Sequence, residues 1–470
     1  NWCPVSKSAI SDEEVIHQEK NGSLWHFRYP ITDSDSFIVV ATTRPETMLG
    51  DTAVAIHPND ERYQDLIGKS VTLPLVGRKI PIITDEFVDP EFGTGCVKVT
   101  PAHDPNDFAM GERHDLEFIN IMNEDASLNS NVPKKYQGLS REEARKQIVE
   151  DLDSDNLIHE IEDHVNKVGY SERGHVPIEF YMSEQWFMKM SELAEPATDA
   201  VKQGKISFHP PHWTKTYEHW MDNIKDWCIS RQIWWGHQIP AWYHIETGEV
   251  IVSREDIQDK NYRRETDVLD TWFSSALWPF STFGWPQKNS DLDYFYPTST
   301  LVTGFDIIFF WVARMMMMGL HFMEDIPFHT VYIHALVRDD KGQKMSKSKG
   351  NVMDPLDLIT KFGADALRMT LAAHAAQGRD IKLSENRVEG YRNFATKLWN
   401  AARFCEMNYC VYSREFNPAE CDLAVNRWVV GHVYETISDV EIGIKEYRFN
   451  EAAGAIYQFT WGTFCDWYLE

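Results

Sequence analysis

The sequence predicts a mixed α/β fold in which a β-rich region, a parallel sheet of the Rossmann type and a set of helices follow one another. Short β-branched runs separated by turn residues fill the first 170 residues, and strand-like segments alternate with helical ones after about residue 175. From about residue 355 onward only helical periodicity remains. With 470 residues, of which 43% are hydrophobic and 25% charged, the chain has the composition of a globular protein of several domains.

The β-rich region, expected at residues 1–175, has strand and helix signals of different strength. Four of its runs are typical of strands: residues 37–40, 52–56, 80–83 and 96–100. One strongly periodic helix is predicted over residues 141–157. Ser140 precedes it and Glu143 lies three positions later, which is the spacing of a capping box that satisfies free backbone N–H groups.

A strand–helix–strand unit lies in the second region, expected at residues 176–354. It consists of a strand at 301–303, a helix beginning near Phe305 and a strand at 330–336. Strands joined through a helix run parallel, and ligands of such sheets bind at the carboxyl ends of the strands. The loop that follows the second strand is therefore expected at the ligand-binding edge.

The last part of the chain is expected to be helical. Four helices are predicted there: residues 355–371, 384–406, 423–445 and 451–468. We divide this part into two domains, at 355–410 and 411–470.

Charge and cysteine content exclude several classes of protein. A net charge of −26 argues against indiscriminate coating of nucleic acid, although it allows a local basic groove. Seven cysteines without a C-x-x-C pair exclude zinc-ribbon and thioredoxin-type sites and predict reduced thiols in the cytoplasm. His209, His212 and His219 lack a spaced Cys or carboxylate partner, so no structural metal is predicted. The apolar run at 307–318 is interrupted by Arg314, which predicts a buried helix and no membrane.

The loop after the second predicted strand reads K-M-S-K-S-K-G-N at residues 344–351. Three lysines within six residues, set among hydroxyl groups, suit a loop that binds a polyphosphate, because ammonium groups neutralise the charge of departing pyrophosphate. A solvated basic loop is the alternative that this composition leaves open.

Polar residues of the β-rich region form a second candidate site. They are Arg44, Thr47, Lys98, Thr100, Asp104 and Asp107. Lys98 and Thr100 lie two apart on a predicted strand, so their side chains point to the same face. Asp104 and Asp107 both point inward if a helical turn begins between them. Cations, hydroxyls and carboxylates in one pocket suit an amino-acid ester, whose ammonium needs a carboxylate partner. Taken singly, each residue is more often a turn, cap or surface residue.

Several motifs together resemble those of one enzyme family. These are T-T-R-P-E-T at 42–47, W-W-G-H at 234–237, G-F-D-I-I at 304–308 and the K-M-S-K-S loop. With them the whole chain resembles the class I aminoacyl-tRNA synthetases of the valyl, isoleucyl and leucyl group. The T-T-R-P-E-T segment is similar to the valyl branch, since isoleucyl enzymes typically read T-T-P-W-T there. The resemblance implies the C-terminal half of a class I Rossmann-like sheet, an inserted editing (connective polypeptide) domain and an incomplete helical bundle.

The resemblance implies roles for residues of the editing domain and of the synthetic domain. It implies ATP-dependent activation of valine, transfer to tRNA(Val) and hydrolysis of mischarged threonyl-tRNA. Asp107 would hold the substrate ammonium, and the other five residues of the polar set would line the editing pocket. Hydrolysis would use an oriented water helped by a ribose hydroxyl.

In the synthetic domain, Trp272, Ile307 and Trp311 resemble a valine pocket. Ile307 and Trp311 are four apart and share a face if they lie on a helix; plain core aromatics are the alternative. Lys344 and Lys347 would stabilise the triphosphate, and Ser346, Lys347 and His334 would bind ATP. His334 is equally a plain strand histidine.

One expected motif is absent from the sequence. Class I catalysis also needs an H-I-G-H-like string, and none occurs, so we expect an internal fragment of a longer synthetase. The resemblance implies ATP with Mg²⁺ as substrate, tRNA(Val) and valine as partners, a cytoplasmic location and a monomeric full-length form. A free-standing deacylase of mischarged tRNA and a non-catalytic tRNA-binding scaffold are the alternatives.

Overall fold

A computed structural model describes residues 1–346 and 350–470. By its internal contacts the chain divides into two compact units. The first unit comprises Asn1–Met190 and Lys225–Ser274, and the second comprises Ser191–Ile224 and Ser275–Glu470.

The elements are numbered in chain order. The strands are β1 (Trp2–Cys3), β2 (Ser8–Ala9), β3 (Val15–Pro30), β4 (Phe37–Thr42), β5 (Ala53–Ile56), β6 (Ser70–Thr72), β7 (Lys79–Thr84), β8 (Cys96–Val99), β9 (Ile158–Ser171), β10 (Phe187–Met188), β11 (Ser207–His209), β12 (Trp227–Cys228), β13 (Ser230–Arg231), β14 (Ala241–His244), β15 (Val250–Val252), β16 (Tyr262–Arg264), β17 (Val268–Leu269), β18 (Thr298–Gly304), β19 (Phe328–His334), β20 (Val337–Arg338) and β21 (Ile381–Lys382). The helices are α1 (Pro105–Arg113), α2 (Arg141–Ser154), α3 (Ser191–Lys202), α4 (Trp213–Asp222), α5 (Thr271–Ala276), α6 (Trp278–Ser281), α7 (Ser290–Phe295), α8 (Ala313–Met323), α9 (Pro355–Phe362), α10 (Ala364–His374), α11 (Glu385–Met407), α12 (Ala424–Lys445) and α13 (Phe449–Gln458).

Two sheets carry the β-rich part of the first unit. One has the strand order β4-β3-β9 and the other the order β6-β7-β5-β8. The four runs predicted as strands are confirmed as β4, β5, β7 and β8. The predicted helix is confirmed as α2, which ends three residues earlier than expected and begins with the Ser140–Glu143 capping box. An apolar core that includes Phe27, Val40 and Ile148 packs between strands and helix.

A long antiparallel ribbon of β3 and β9 was not predicted. Its pairs run from Val15 opposite Ser171 to Phe27 opposite Ile158. Residues 16–22 of β3 are exposed and mostly polar, so the segment lacks the apolar alternation that marks a half-buried strand. The pairing of the backbone with β9 makes it a strand all the same.

In the second unit, β11, β19 and β18 form a three-stranded parallel sheet. β18 pairs with β19 from Thr298 opposite Phe328 to Gly304 opposite His334. The predicted parallel strand–helix–strand unit is therefore confirmed, and His334 lies at its carboxyl edge.

The connection after β18 is not the regular helix that the sequence predicts. Phe305–Ile307 forms one tight 3₁₀ turn, Ile308–Val312 forms a wider π-type turn, and the α-helix begins only at Ala313. Ile307 has φ −116° and ψ 18°, outside the helical region, so its four-residue spacing from Trp311 does not follow α-helical geometry. The prediction of a regular α-helix from Phe305 is therefore wrong for residues 305–312, and the shared face of Ile307 and Trp311 stays a prediction.

The same stretch has the length and composition of a membrane-spanning helix. Phe305–Met323 has 19 residues and a mean hydropathy of 1.4 over its most apolar window, and half of that window is buried in the protein. Core helices of globular proteins meet the same criteria.

The predicted helix at 355–371 is wrong as a single element, because it is divided into α9 and α10. Gly363 separates them with a φ of +90°, a conformation that glycine adopts without steric cost. The other three helical predictions correspond to α11, to α12 and to α13 with its wider continuation Phe459–Leu469.

Candidate functional site

A cavity of about 410 Å³ with both polar and apolar walls opens in the first unit. Its walls come from the end of β4, the turn after it, β8 and the start of α1. All six polar residues of the predicted editing site line this cavity: Arg44, Thr47, Lys98, Thr100, Asp104 and Asp107. Phe87 and Phe92 add exposed aromatic rings to its wall.

The buried ammonium of Lys98 is fully engaged inside the cavity wall. Its Nζ donates to Thr100 Oγ1 at 2.6 Å, to Thr47 Oγ1 at 2.8 Å and to Asp51 Oδ1 at 3.4 Å. The contact with Thr100 bears out the prediction that both side chains share one face of the strand. Three acceptors use the three hydrogens of the ammonium, so Lys98 organises the wall and does not reach into the cavity as a free cation.

Asp51 is the fully buried partner of this lysine. Its Oδ1 also accepts from Thr100 Oγ1 at 2.6 Å, and its Oδ2 accepts from Tyr29 Oη at 2.8 Å. Burial raises the pKa of Asp51, and the charge of Lys98 opposes that rise. Asp51 was not predicted from the sequence, because its partners lie 22 to 49 residues away and no local motif marks it.

Asp107 points into the cavity from the first turn of α1. Its Oδ2 accepts the backbone N–H of Thr100 at 2.8 Å, and no hydrogen bond from the described residues reaches Oδ1. Burial raises the pKa of Asp107 to about 7, which Lys98 opposes and Asp104 reinforces. One carboxylate oxygen is therefore available for a cationic ligand.

Asp104 lies at the same helix start but has a different role. Its carboxylate accepts the backbone N–H groups of Asn106 at 2.8 Å and Asp107 at 3.2 Å. It is thus the N-cap of α1, with Pro105 at the first helical position. The predicted helical turn begins here, and Asp104 fixes the direction in which Asp107 points.

Arg44 lies in a chain of five charged side chains, here called the Arg–Glu chain. Its guanidinium binds the buried carboxylates of Glu46, at 3.2 Å from Nε, and of Glu179. Arg145 binds Glu46 through two hydrogen bonds of 2.8 Å, and Arg141 binds Glu179 at 2.6 Å. Burial alone would raise the pKa of the Glu46 carboxyl. The hydrogen bonds from Arg145 and the charge of Arg44 lower that pKa to about 2.

His103 also lines the cavity, its carbonyl oxygen accepts from Arg44 Nη1 at 3.3 Å, and it was not among the six predicted site residues. Its Nδ1 lies 3.3 Å from the carbonyl oxygen of Phe180, and its Nε2 accepts the N–H of Ile121 at 3.0 Å. Burial, with the charge of Arg44, lowers the pKa of His103 to about 3. Both ring nitrogens are engaged and the ring is neutral, so His103 supports the wall and is not a free base.

Among residues 1–346 and 350–470, no group of three or more His, Cys, Asp or Glu side chains is placed to hold a metal ion.

The lysine-rich loop belongs to the second unit. Lys344 pairs with Arg338 across an isolated antiparallel bridge, and the N–H of Ser346 donates to Asn351 Oδ1 at 2.9 Å. Lys347 lies outside the described residues. His334 ends β19, with its Nδ1 2.9 Å from the carbonyl oxygen of Ala335.

The three residues of the predicted valine pocket lie in different parts of the chain. Trp272 is in α5 of the first unit, where its backbone N–H donates to Asp270 Oδ1 at 3.3 Å. Ile307 and Trp311 are in the second unit, and the indole N–H of Trp311 donates to the carbonyl of Ser275 at 3.0 Å. The valine pocket stays a prediction.

Two family models match this chain. The model described as tRNA synthetases class I (I, L, M and V) matches residues 1–260 and 255–384. The model described as the anticodon-binding domain of tRNA ligase matches residues 426–470.

Curated relatives match the whole chain. The valine–tRNA ligase of Syntrophotalea carbinolica is 58% identical over 482 residues, covering 100% of this chain and 53% of the relative. The valine–tRNA ligase of Geobacter sulfurreducens is 57% identical over 479 residues, covering 100% of this chain and 54% of the relative. The chain thus spans about half the length of the curated relatives it matches. A crystal structure of a LeuRS–tRNA–LeuAMS ternary complex from Agrobacterium radiobacter K84 aligns with a TM-score of 0.47 and 19% identity, covering 94% of this chain and 56% of that one.

Proposed function

The chain belongs to the class I tRNA synthetases of the isoleucyl, leucyl, methionyl and valyl group, and we propose that the protein is a valine–tRNA ligase. Identities of 58% and 57% with two valine–tRNA ligases over the whole of this chain are the observation that carries the proposal. Its partners would be valine, ATP with Mg²⁺ and tRNA(Val), and its location the cytoplasm.

In the proposed synthesis, a carboxylate oxygen of valine attacks the α-phosphorus of ATP, and pyrophosphate leaves as its P–O bond breaks. Lys344 and Lys347 neutralise the triphosphate and the departing pyrophosphate, and Ser346 and His334 complete the ATP contacts. The valyl group then passes from the adenylate to a ribose hydroxyl of tRNA, releasing AMP. Trp272, Ile307 and Trp311 form the valine pocket in this proposal.

The cavity of the first unit would serve a second, hydrolytic reaction. In valyl enzymes generally, a pocket shaped for valine rejects threonine only about a hundredfold, because an added hydroxyl is not strongly excluded. A separate polar cavity that removes threonine from tRNA restores accuracy. The cavity of about 410 Å³, with hydroxyls, a buried lysine and a carboxylate oxygen available to a cation, supports this role.

The available Oδ1 of Asp107 would hold the ammonium of the threonyl ester. Water attacks the ester carbonyl carbon, the ester C–O bond breaks, and the ribose oxygen leaves with the proton that the water loses. Lys98 and His103 have no free nitrogen for that proton. We therefore propose a water molecule oriented with the help of a ribose hydroxyl.

The experiment uses the full-length protein with tRNA(Val). Valine-dependent exchange of ATP with pyrophosphate tests synthesis, and hydrolysis of preformed threonyl-tRNA(Val) tests editing. Asp107→Ala should abolish hydrolysis while exchange continues, and Glu112→Ala, an exposed carboxylate on the same helix, should change neither. Wild-type hydrolysis by Asp107→Ala would refute the editing assignment. Hydrolysis without any exchange would favour an editing-only deacylase instead.

A further inference from the structure

The side chain of Asn351 bonds to three groups on the other side of residues 347–349. Its Oδ1 accepts the N–H of Ser346 at 2.9 Å. Its Nδ2 donates to Asp339 Oδ2 at 2.9 Å and to the carbonyl oxygen of Lys344 at 3.3 Å. The carboxamide of Asn351, at the end of the lysine-rich loop, therefore forms hydrogen bonds with Lys344 and Ser346 at its start.

Asp339 is itself held in a tight hairpin. Its Oδ1 accepts the N–H of Gln343 at 2.6 Å, and its backbone N–H donates to the Gln343 carbonyl at 3.1 Å. Gly342 makes the turn with a φ of +81°, and a Cβ there would lie 3.1 Å from Cε of Lys382. The hairpin begins in β20, which pairs with β21, so Asp339 has a fixed position relative to that strand.

We propose that Asn351 and Asp339 form a clasp that positions Lys344 and Ser346 for the triphosphate of ATP. The proposal rests on the proposed synthetic function of the loop. Both clasp residues act through the backbone of their neighbours and are positioning residues. Charged groups lower a barrier only where they meet the developing charge, and a displacement of about 1 Å can cost about a hundredfold in rate.

The bonding pattern requires a carboxamide at position 351. Asparagine supplies an acceptor for Ser346 and donors for Asp339 and Lys344, whereas aspartate supplies acceptors only. An aspartate there would also face the carboxylate of Asp339 across about 3 Å, where like charges repel. Exchanging the two residues restores a donor–acceptor pair, because an asparagine at 339 keeps an oxygen for Gln343 and turns its NH₂ toward position 351.

Kinetics in the full-length protein test the clasp. Asn351→Asp should lower kcat of valine-dependent ATP–pyrophosphate exchange by about 10- to 100-fold and change KM for ATP less than about threefold. The exchanged double variant Asp339→Asn/Asn351→Asp should recover part of that loss, because an asparagine at 339 can donate to the aspartate at 351, whereas the bond to the Lys344 carbonyl stays lost. Val352→Ala, at an exposed neighbour, is the matched control and should behave as wild type. Wild-type kcat in Asn351→Asp, or no recovery in the double variant, would overturn the proposal.

A second measurement does not depend on the reaction. Amide hydrogen exchange at Ser346 should be faster in Asn351→Ala than in wild type, because the N–H loses its acceptor. An unchanged rate at Ser346 overturns the clasp. If the wild-type protein shows no valine-dependent ATP–pyrophosphate exchange, the proposed function is refuted. Amide hydrogen exchange at Ser346 would still decide whether the clasp exists.

Discussion

The carboxylate of Asp107 is buried beside a lysine whose three hydrogens already bind other acceptors. One oxygen accepts a backbone N–H and the other is available, so the charge is only partly compensated. This explains a pKa near 7 and suits a group that gains its cationic partner only when substrate binds.

We expect Asp107→Asn to stabilise the first unit, and more so at pH 8 than at pH 4. The folded-state pKa of about 7 lies above the usual value of about 3.9, so the native state binds more protons and stability falls as pH rises through that window. At about 1.4 kcal/mol per pKa unit, the ionised carboxylate costs up to about 4 kcal/mol at pH 8, which a neutral amide avoids. Urea unfolding at both pH values measures the difference. An equal gain in the free energy of unfolding at pH 4 and at pH 8 would contradict the raised pKa of Asp107.

Removal of Lys98 alone should be costly. Lys98→Met leaves Asp51 fully buried without its cation, and losing one partner of a buried ion pair typically costs about 3–5 kcal/mol. The double variant Lys98→Met/Asp51→Asn should be more stable than the single variant, since it removes the uncompensated charge. The free energies of unfolding in urea at pH 7 of these two variants and of Asp51→Asn alone give the coupling energy. Equal destabilisation of both variants would argue against the pair.

At the level of residues, the sequence predicted which side chains line the cavity but not which ones hold them. Lys98 and Thr100 were placed together by their spacing on a strand, and that geometry is observed. Asp51 and Glu179 could not be found in this way, because the partners of each are distant in sequence. Arg44 and Glu179, for example, are 135 positions apart.

Among the elements, α2 supports the cavity without lining it. It supplies Arg145 and Arg141, the two outer cations of the Arg–Glu chain. The capping box fixes the start of this helix, and hence where both arginines lie. A helix predicted from its periodicity alone thus has a function that the periodicity does not reveal.

Arg145→Met should weaken the first unit at pH 7. Glu46 would keep Arg44 but lose both bonds from Arg145, and its pKa should rise from about 2. Because about a third of Arg145 is exposed, we expect a loss on the order of 1–2 kcal/mol, which shrinks as pH falls toward 2.

Lys146→Met is the matched control for this helix. Its exposed side chain pairs with Glu150 at 3.9 Å, and such surface pairs contribute about 0.5 kcal/mol or less. Thermal unfolding of both variants at pH 7 makes the comparison. Equal losses in the two variants would contradict a structural role for the Arg–Glu chain.

Element boundaries were predictable where local periodicity is strong and not where the backbone departs from it. β4, β5, β7 and β8 have β-branched runs and were found, whereas the exposed half of the β3–β9 ribbon has none. The sequence gives no periodicity signal for the π-type turn at Ile308–Val312, because its residues are as apolar as those of the helix that follows.

For the whole molecule, the proposed discrimination between amino acids depends on Trp311. Trp311→Ala in the full-length protein should raise the kcat/KM ratio of isoleucine to valine in ATP–pyrophosphate exchange by about 10- to 200-fold, the range for one methylene group in an apolar pocket. Trp234→Ala removes a fully exposed indole of the same size and should leave the ratio unchanged. An unchanged ratio in Trp311→Ala, with a wild-type melting temperature, would refute the pocket.

The Arg–Glu chain has a consequence for how this family can vary. Arg44 binds two buried carboxylates, and each carboxylate also binds a second arginine, so replacing any member removes an opposite charge from at least one neighbour. Positions 44, 46, 141, 145 and 179 should therefore covary among related sequences. Loss of the arginine at 145 is expected to accompany loss of the carboxylate at 46, and the pair 141 and 179 should behave in the same way.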